Sequence, residues 1–140
     1  MTKFDIAAIN STILKQASKL RFQVADSAPS TIAEVKSAGT LTVWSGGSEA
    51  TIFDDARVNW AFRAIHDAMH IATRLGFTIA EEIELARIHA AEQSSGLMAD
   101  LVYTEVAGQA IELEATKSFI ANQRLFTLTK LKQLGYQLAA

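Results

Sequence analysis

The sequence predicts a mainly α fold: a compact single-domain bundle of about five to six helices, with a small β-hairpin near residues 41–53. Apolar residues recur at the i, i+3, i+4 spacing of an amphipathic helix through most of the chain. Capping signals and glycine stops cut that pattern into helix-length pieces. Only LTVW, residues 41–44, concentrates β-branched and aromatic residues as a strand does. At 140 residues the chain has the size of one domain around one core.

The elements follow in order. Ile6, Ile9, Ile13, Leu14 and Leu20 place an amphipathic helix across the first twenty residues. DSAPS, with the only proline, ends it. STIAEVKSAG then reads as a short helix, Thr31 and Glu34 forming a capping box and Gly39 the stop, so residues 1–39 are N-terminal helices. Residues 40–54 are the β element: LTVW, the turn SGGS, and TIF at 51–53 pairing back. No lysine and serine follow SGGS, so it reads as a plain turn and not as a phosphate-binding loop. Residues 55–135 form a helical core. ARVNWAFRAIHDAMHIATRL stops at Gly76, and TIAEEIELARIHAAEQ opens on a second capping box, Thr78 to Glu81. After SSG comes LMADLVYTEVAGQAIELEATK, with Gly108 inside one continuous helix, and then SFIANQRLFTLTKLKQLG, ending at Gly135.

Composition narrows the function. Thirteen Lys and Arg against fifteen Asp and Glu give a net charge of -2, which leaves no basic footprint for nucleic acid. Lys130 and Lys132 read as a solvated helix end. With no cysteine, any metal must sit on nitrogen and oxygen. No apolar run approaches the ~20 residues of a membrane span, and the start lacks a signal peptide's apolar segment. The expectation is a cytoplasmic protein.

All three histidines fall between residues 66 and 89. At about 100° per residue, His66 and His70 share one helix face, one turn apart, with Asn59, Arg63 and Thr73 on the same sector. The other side of that helix is also apolar, so the histidines face the interior, where an unpartnered polar group costs a few kcal/mol. On the next helix Glu82 and His89 share a face. Glu81 is taken by the capping box and Glu84 points away. On the helix after that, Glu105, Gln109 and Glu112 align. His66, His70, Glu82, His89 and Glu105 are therefore the candidate metal ligands, a set of imidazoles and carboxylates suited to zinc, manganese or iron. A buried histidine bonded to a carbonyl is the plainer alternative for each one singly. HExxH and paired ExxH motifs are absent, and His66-Asp67 lacks the upstream histidine of the HD phosphohydrolases.

VNWAFRAIHDAMH, GFTIAEEIELARIH, YTEVAGQA and FIANQRLF together resemble a family of small helical proteins encoded by bacteriophages. Its pattern matches Asn59, Arg63, His66, Asp67, His70, Phe77, Glu82, His89, Thr104, Glu105, Gly108 and Gln109, over residues 40–126. The resemblance implies a phage origin, hence an infected host cell, and supports the same five ligands. It implies no particular reaction.

The leading expectation is a metal-dependent hydrolase of a small phosphorylated or nucleotide-like substrate. Asp67 or Glu105 would act as general base or orient an imidazole, Arg63 would hold the anionic group, and Gln109 would orient water or substrate. Two alternatives stand beside it: a non-enzymatic protein that binds or inhibits a host factor, and a non-haem iron oxidative enzyme.

Overall fold

The computed structural model describes residues 1–26 and 41–139. Helix α1, Ile6–Ala17, begins where Asp5 accepts a hydrogen bond from the Ala7 amide at 2.8 Å, and it buries Ile9, Ile13 and Ala17. It packs on α2, Ala56–Thr73, the longest helix of the described residues. Asp55 caps α2 in the same way, accepting from the Arg57 amide at 2.9 Å. The helix stops before Gly76, because Arg74 takes a left-handed φ of 62° and returns its amide to the His70 carbonyl. Helix α3, Ile79–Ala91, follows, with Thr78 as its cap. Then come α4, Gly96–Tyr103, and α5, Gln109–Thr116, joined by a π-helical turn over Thr104–Gly108. Helix α6, Gln123–Gln133, completes the bundle. The chain is thus mainly helical and forms one compact domain.

Among the described residues four short strands form two parallel pairs. β1, Thr2–Phe4, lies beside β4, Tyr136–Leu138, with Thr2 opposite Tyr136. β2, Phe22–Ala25, lies beside β3, Leu41–Trp44, with Phe22 opposite Leu41.

This topology corrects three expectations. There is no hairpin over residues 41–53: LTVW is a strand, but its partner is β2. Thr51, Ile52 and Phe53 are all fully buried, and a returning strand would alternate its side chains between two faces. They instead plug the core, Phe53 lying 5.4 Å from the Phe62 ring. The first twenty residues are a helix flanked by strands and not helix throughout, since β1 and β2 each find a distant partner. The helix containing Gly108 is interrupted by the π turn. The expected helix over STIAEVKSAG lies outside the described residues.

The main core is built from one face each of α1, α2, α3 and α4, including Ile13, Phe62, Ala86 and Leu101. No helix among the described residues is long and apolar enough to cross a membrane.

A candidate metal centre between helices α2 and α3

The short α2–α3 connection sets the site. Three contacts tie it: the Leu75 amide donates to the Thr73 hydroxyl at 3.3 Å, the Gly76 amide donates to Glu81 at 2.6 Å, and the Thr78 hydroxyl donates to Glu81 at 2.8 Å. Glu81 is therefore spent on the capping box, as its spacing predicts. Its neighbour Glu82 faces inward across α2. Glu82 Oε1 lies 2.6 Å from His70 Nε2, and Oε2 lies 3.5 Å from His66 Nε2.

The two imidazoles are held by their other nitrogens. His70 Nδ1 lies 2.7 Å from the Leu75 carbonyl, to which it must donate. His66 Nδ1 lies 3.4 Å from His89 Nδ1. Phe62, His89 and His66 stack in series with ring centroids about 5.5 Å apart, while the Phe77 ring covers His70 at 4.7 Å. All three histidines are buried.

One ligand atom each from His66, His70 and Glu82 falls within 4.8 Å of the other two. Two ligands of a tetrahedral ion bound at the usual ~2.05 Å lie about 3.3 Å apart. Within this group His66 Nε2 is buried without a hydrogen-bond partner among the described residues, whereas Glu82 Oε1, 2.6 Å from His70 Nε2, stands at hydrogen-bond distance from that ring. An unpartnered buried group costs about 1–3 kcal/mol unless something completes it. His66, His70 and Glu82 could therefore hold a metal ion.

Electrostatics matches the geometry. Burial pushes the Glu82 carboxyl up, but the two imidazoles outweigh it and hold it at about 2. Burial pulls His70 down, yet Glu82 and the Leu75 carbonyl reverse this and raise it. His89 is lowered to about 4 by burial and then by His66, so it is neutral near pH 7.

The remaining sequence candidates take other places. Among the described residues His89 joins the cluster through His66, and its Nε2 has no hydrogen-bond partner. Glu105 does not join it. It is buried against α6, accepting from the Thr127 hydroxyl at 2.6 Å and from Gln109 at 2.9 Å. Burial raises it to about 7, against the pull of those two donors and of Arg63. Asp67 makes no ion pair with Arg63 among the described residues, although the two are four positions apart. Burial lifts it to about 6, over the opposing pull of His66 and His70.

Of these groups His66, Glu82, Asp67 and Glu105 line a cavity of about 170 Å³, together with Asn59, Arg63, Gln109 and Gln123; His70 and His89 stand behind its wall. Arg63 is fixed at its edge by a device that sequence reasoning missed. Its Nη1 donates to the carbonyls of Trp44 and Gly46, and its guanidinium lies over the Trp44 ring at 5.2 Å. The glycine-rich turn thus serves a cation through its carbonyls and not an anion through its amides. Thr127, which donates to Glu105, and Gln123, on the cavity wall, belong to no spaced motif.

No family model, curated protein or solved structure matches this chain.

Proposed function

We propose that His66, His70 and Glu82 hold one divalent ion, zinc or manganese, and that the protein hydrolyses a small phosphorylated, nucleotide-like substrate in the adjoining cavity. The phage-family resemblance extends this proposal to the cytoplasm of an infected cell. One observation carries it. With Nδ1 of His70 bonded to Leu75 and Nδ1 of His66 facing His89, both Nε2 atoms turn toward one carboxylate. A lone pair and a carboxylate repel at such distances unless a cation lies between them. A proton on His70 Nε2 serves the His70–Glu82 pair, and His66 Nε2 carries one toward Glu82 only in the tautomer in which His89 Nδ1 donates to His66. A metal ion serves all three.

A divalent ion bound there supplies Lewis-acid charge and lowers the pKa of water toward neutrality. The chain's own groups supply the rest. Arg63 holds the phosphate oxygens beside the ligands. Asp67, on the cavity wall next to His66, accepts a proton as water adds to phosphorus. The P–O bond to the leaving group breaks, and that oxygen takes up the proton. Gln109, already oriented by Glu105, positions water or substrate.

The same two imidazoles and one carboxylate are the donor set of oxidative non-haem iron enzymes. Tightly held iron with a visible absorption band favours that reading. Phosphate release from a panel of phosphomonoesters by metal-loaded protein tests the hydrolase. We expect turnover, and a loss of about a hundredfold in Arg63→Ala with metal content intact. No turnover by loaded wild type leaves a host-factor-binding protein as the better reading.

A further inference from the structure

Beside the polar cavity lies a larger one of about 390 Å³. The two share Arg63, Gln109 and Gln123 as a common wall. The outer cavity differs in character: Trp44, Ala50, Leu113, Phe119 and Ile120 supply most of its remaining lining. The Trp44 ring rests on Gly46 and carries Arg63 over it, whereas Phe119, 83% exposed, is the aromatic ring of the lining left free.

Trp44 is fixed in place. Its ring lies over Gly46, where a Cβ would come within 2.2 Å of Cζ2, and its indole nitrogen donates to the Asp26 carbonyl at 3.1 Å. Arg63 spends Nη1 on two carbonyls, and its Nε and Nη2 make no hydrogen bond or ion pair among the described residues. A guanidinium with free donors at the seam between a polar and an apolar cavity fits a molecule that is anionic at one end and apolar at the other.

Resting on the hydrolase reading, we propose that the outer cavity binds the base of a nucleoside monophosphate while Arg63 holds its phosphate at the seam. The Phe119 ring favours a planar partner, and Glu49 with the Oε1 atoms of Gln109 and Gln123, whose Nε2 atoms donate to Glu105 and to the Gly47 carbonyl, offers hydrogen-bond acceptors to its polar edge. A volume near 390 Å³ falls in the range of small-molecule sites. Stacking of a base on an aromatic side chain corresponds to roughly tenfold or more in affinity.

Calorimetric titration with inorganic phosphate, adenosine monophosphate, uridine monophosphate and hexyl phosphate tests this, using wild type and Ala121→Trp. Ala121 lines only the outer cavity, so a tryptophan there fills the base site and leaves the metal ligands alone. We expect both nucleotides to bind at least about tenfold more tightly than phosphate, and hexyl phosphate to gain less. Ala121→Trp should cancel the nucleotide gain while phosphate affinity and metal content stay the same. Equal affinity for phosphate and nucleotides, an equal gain from the hexyl chain, or a gain that survives Ala121→Trp overturns the base site. Binding of neither ligand overturns it too. Measuring metal content on the same samples separates the two readings. A nucleotide gain in protein that takes up no metal supports the base site and defeats the metal-dependent hydrolase, whereas metal-loaded protein with no gain overturns the base site and leaves the metal centre standing.

Discussion

His66 and His89 face each other through their Nδ1 atoms at 3.4 Å. Only one of those nitrogens can carry a proton in a hydrogen bond between neutral rings. If His66 carries it, His66 Nε2 is a bare lone pair directed toward Glu82, and His89 is the acceptor that fixes this tautomer. If His89 carries it, His66 Nε2 is protonated and cannot ligate. A metal ion at His66 therefore selects the first arrangement, and His89 acts as a positioning residue behind the ligand.

Replacing His89 with phenylalanine keeps a ring stacked between Phe62 and His66 but removes the acceptor. Metal affinity should fall about 10–100-fold with little change in melting temperature. Competition against a chromogenic chelator reads the affinity directly. Unchanged affinity would remove His89 from the site.

Glu105 makes stability depend on pH. Burial raises its pKa from 4.5 to about 7 in the folded chain, so the native state holds a proton that the unfolded chain releases. The stability this contributes is complete below about pH 4.5 and is lost as pH rises through about 7, where ionisation forces a buried charge. The decline relative to Glu105→Gln should be on the order of 3 kcal/mol. Urea denaturation of both proteins with metal removed, at several pH values from 4.5 to 8.5, measures it. Parallel pH profiles would mean that Glu105 is already ionised when folded.

Gly46 lets the Trp44 ring lie flat on the backbone. Gly46→Ala should displace the ring at a cost of about 1–3 kcal/mol and loosen Arg63 beneath it. In a Trp60→Phe background Trp44 is the sole tryptophan, and its emission should shift to the red while metal content holds. An unshifted spectrum would show that the ring does not rest there.

Local signals were legible in the sequence wherever one helix carries them. The i, i+4 histidines, the Thr78–Glu81 capping box and the inward face of Glu82 need only helical phase, and the structure follows them. Pairings across the chain were not legible. β1 is three residues long and meets β4 at the other end of the sequence, a distance over which no periodicity speaks. LTVW was recognised as a strand, but nothing in it says whether its partner comes before or after. Glu105 lies beside Gln109, as helical phase expects, and lines the cavity with His66 and Glu82, but its carboxyl is taken by Thr127 of α6, a partner that phase along one helix does not reveal. Arg63 stands four positions before Asp67, the spacing of an intrahelical ion pair, but it is held by two carbonyls of a loop that sequence spacing cannot bring near it.

The metal centre itself is tested most directly by elemental analysis of protein purified without a histidine tag, alongside Glu82→Gln and Glu81→Gln. Glu82 is the only one of the two acidic neighbours whose oxygens face the imidazoles; Glu81 is bound to Gly76 and Thr78. Wild type and Glu81→Gln should each carry close to one equivalent of a divalent transition metal, and Glu82→Gln should carry little. Metal-free wild type that takes up none on reconstitution, or equal loss in the two variants, would mean that a proton and not a metal ion joins His70 to Glu82.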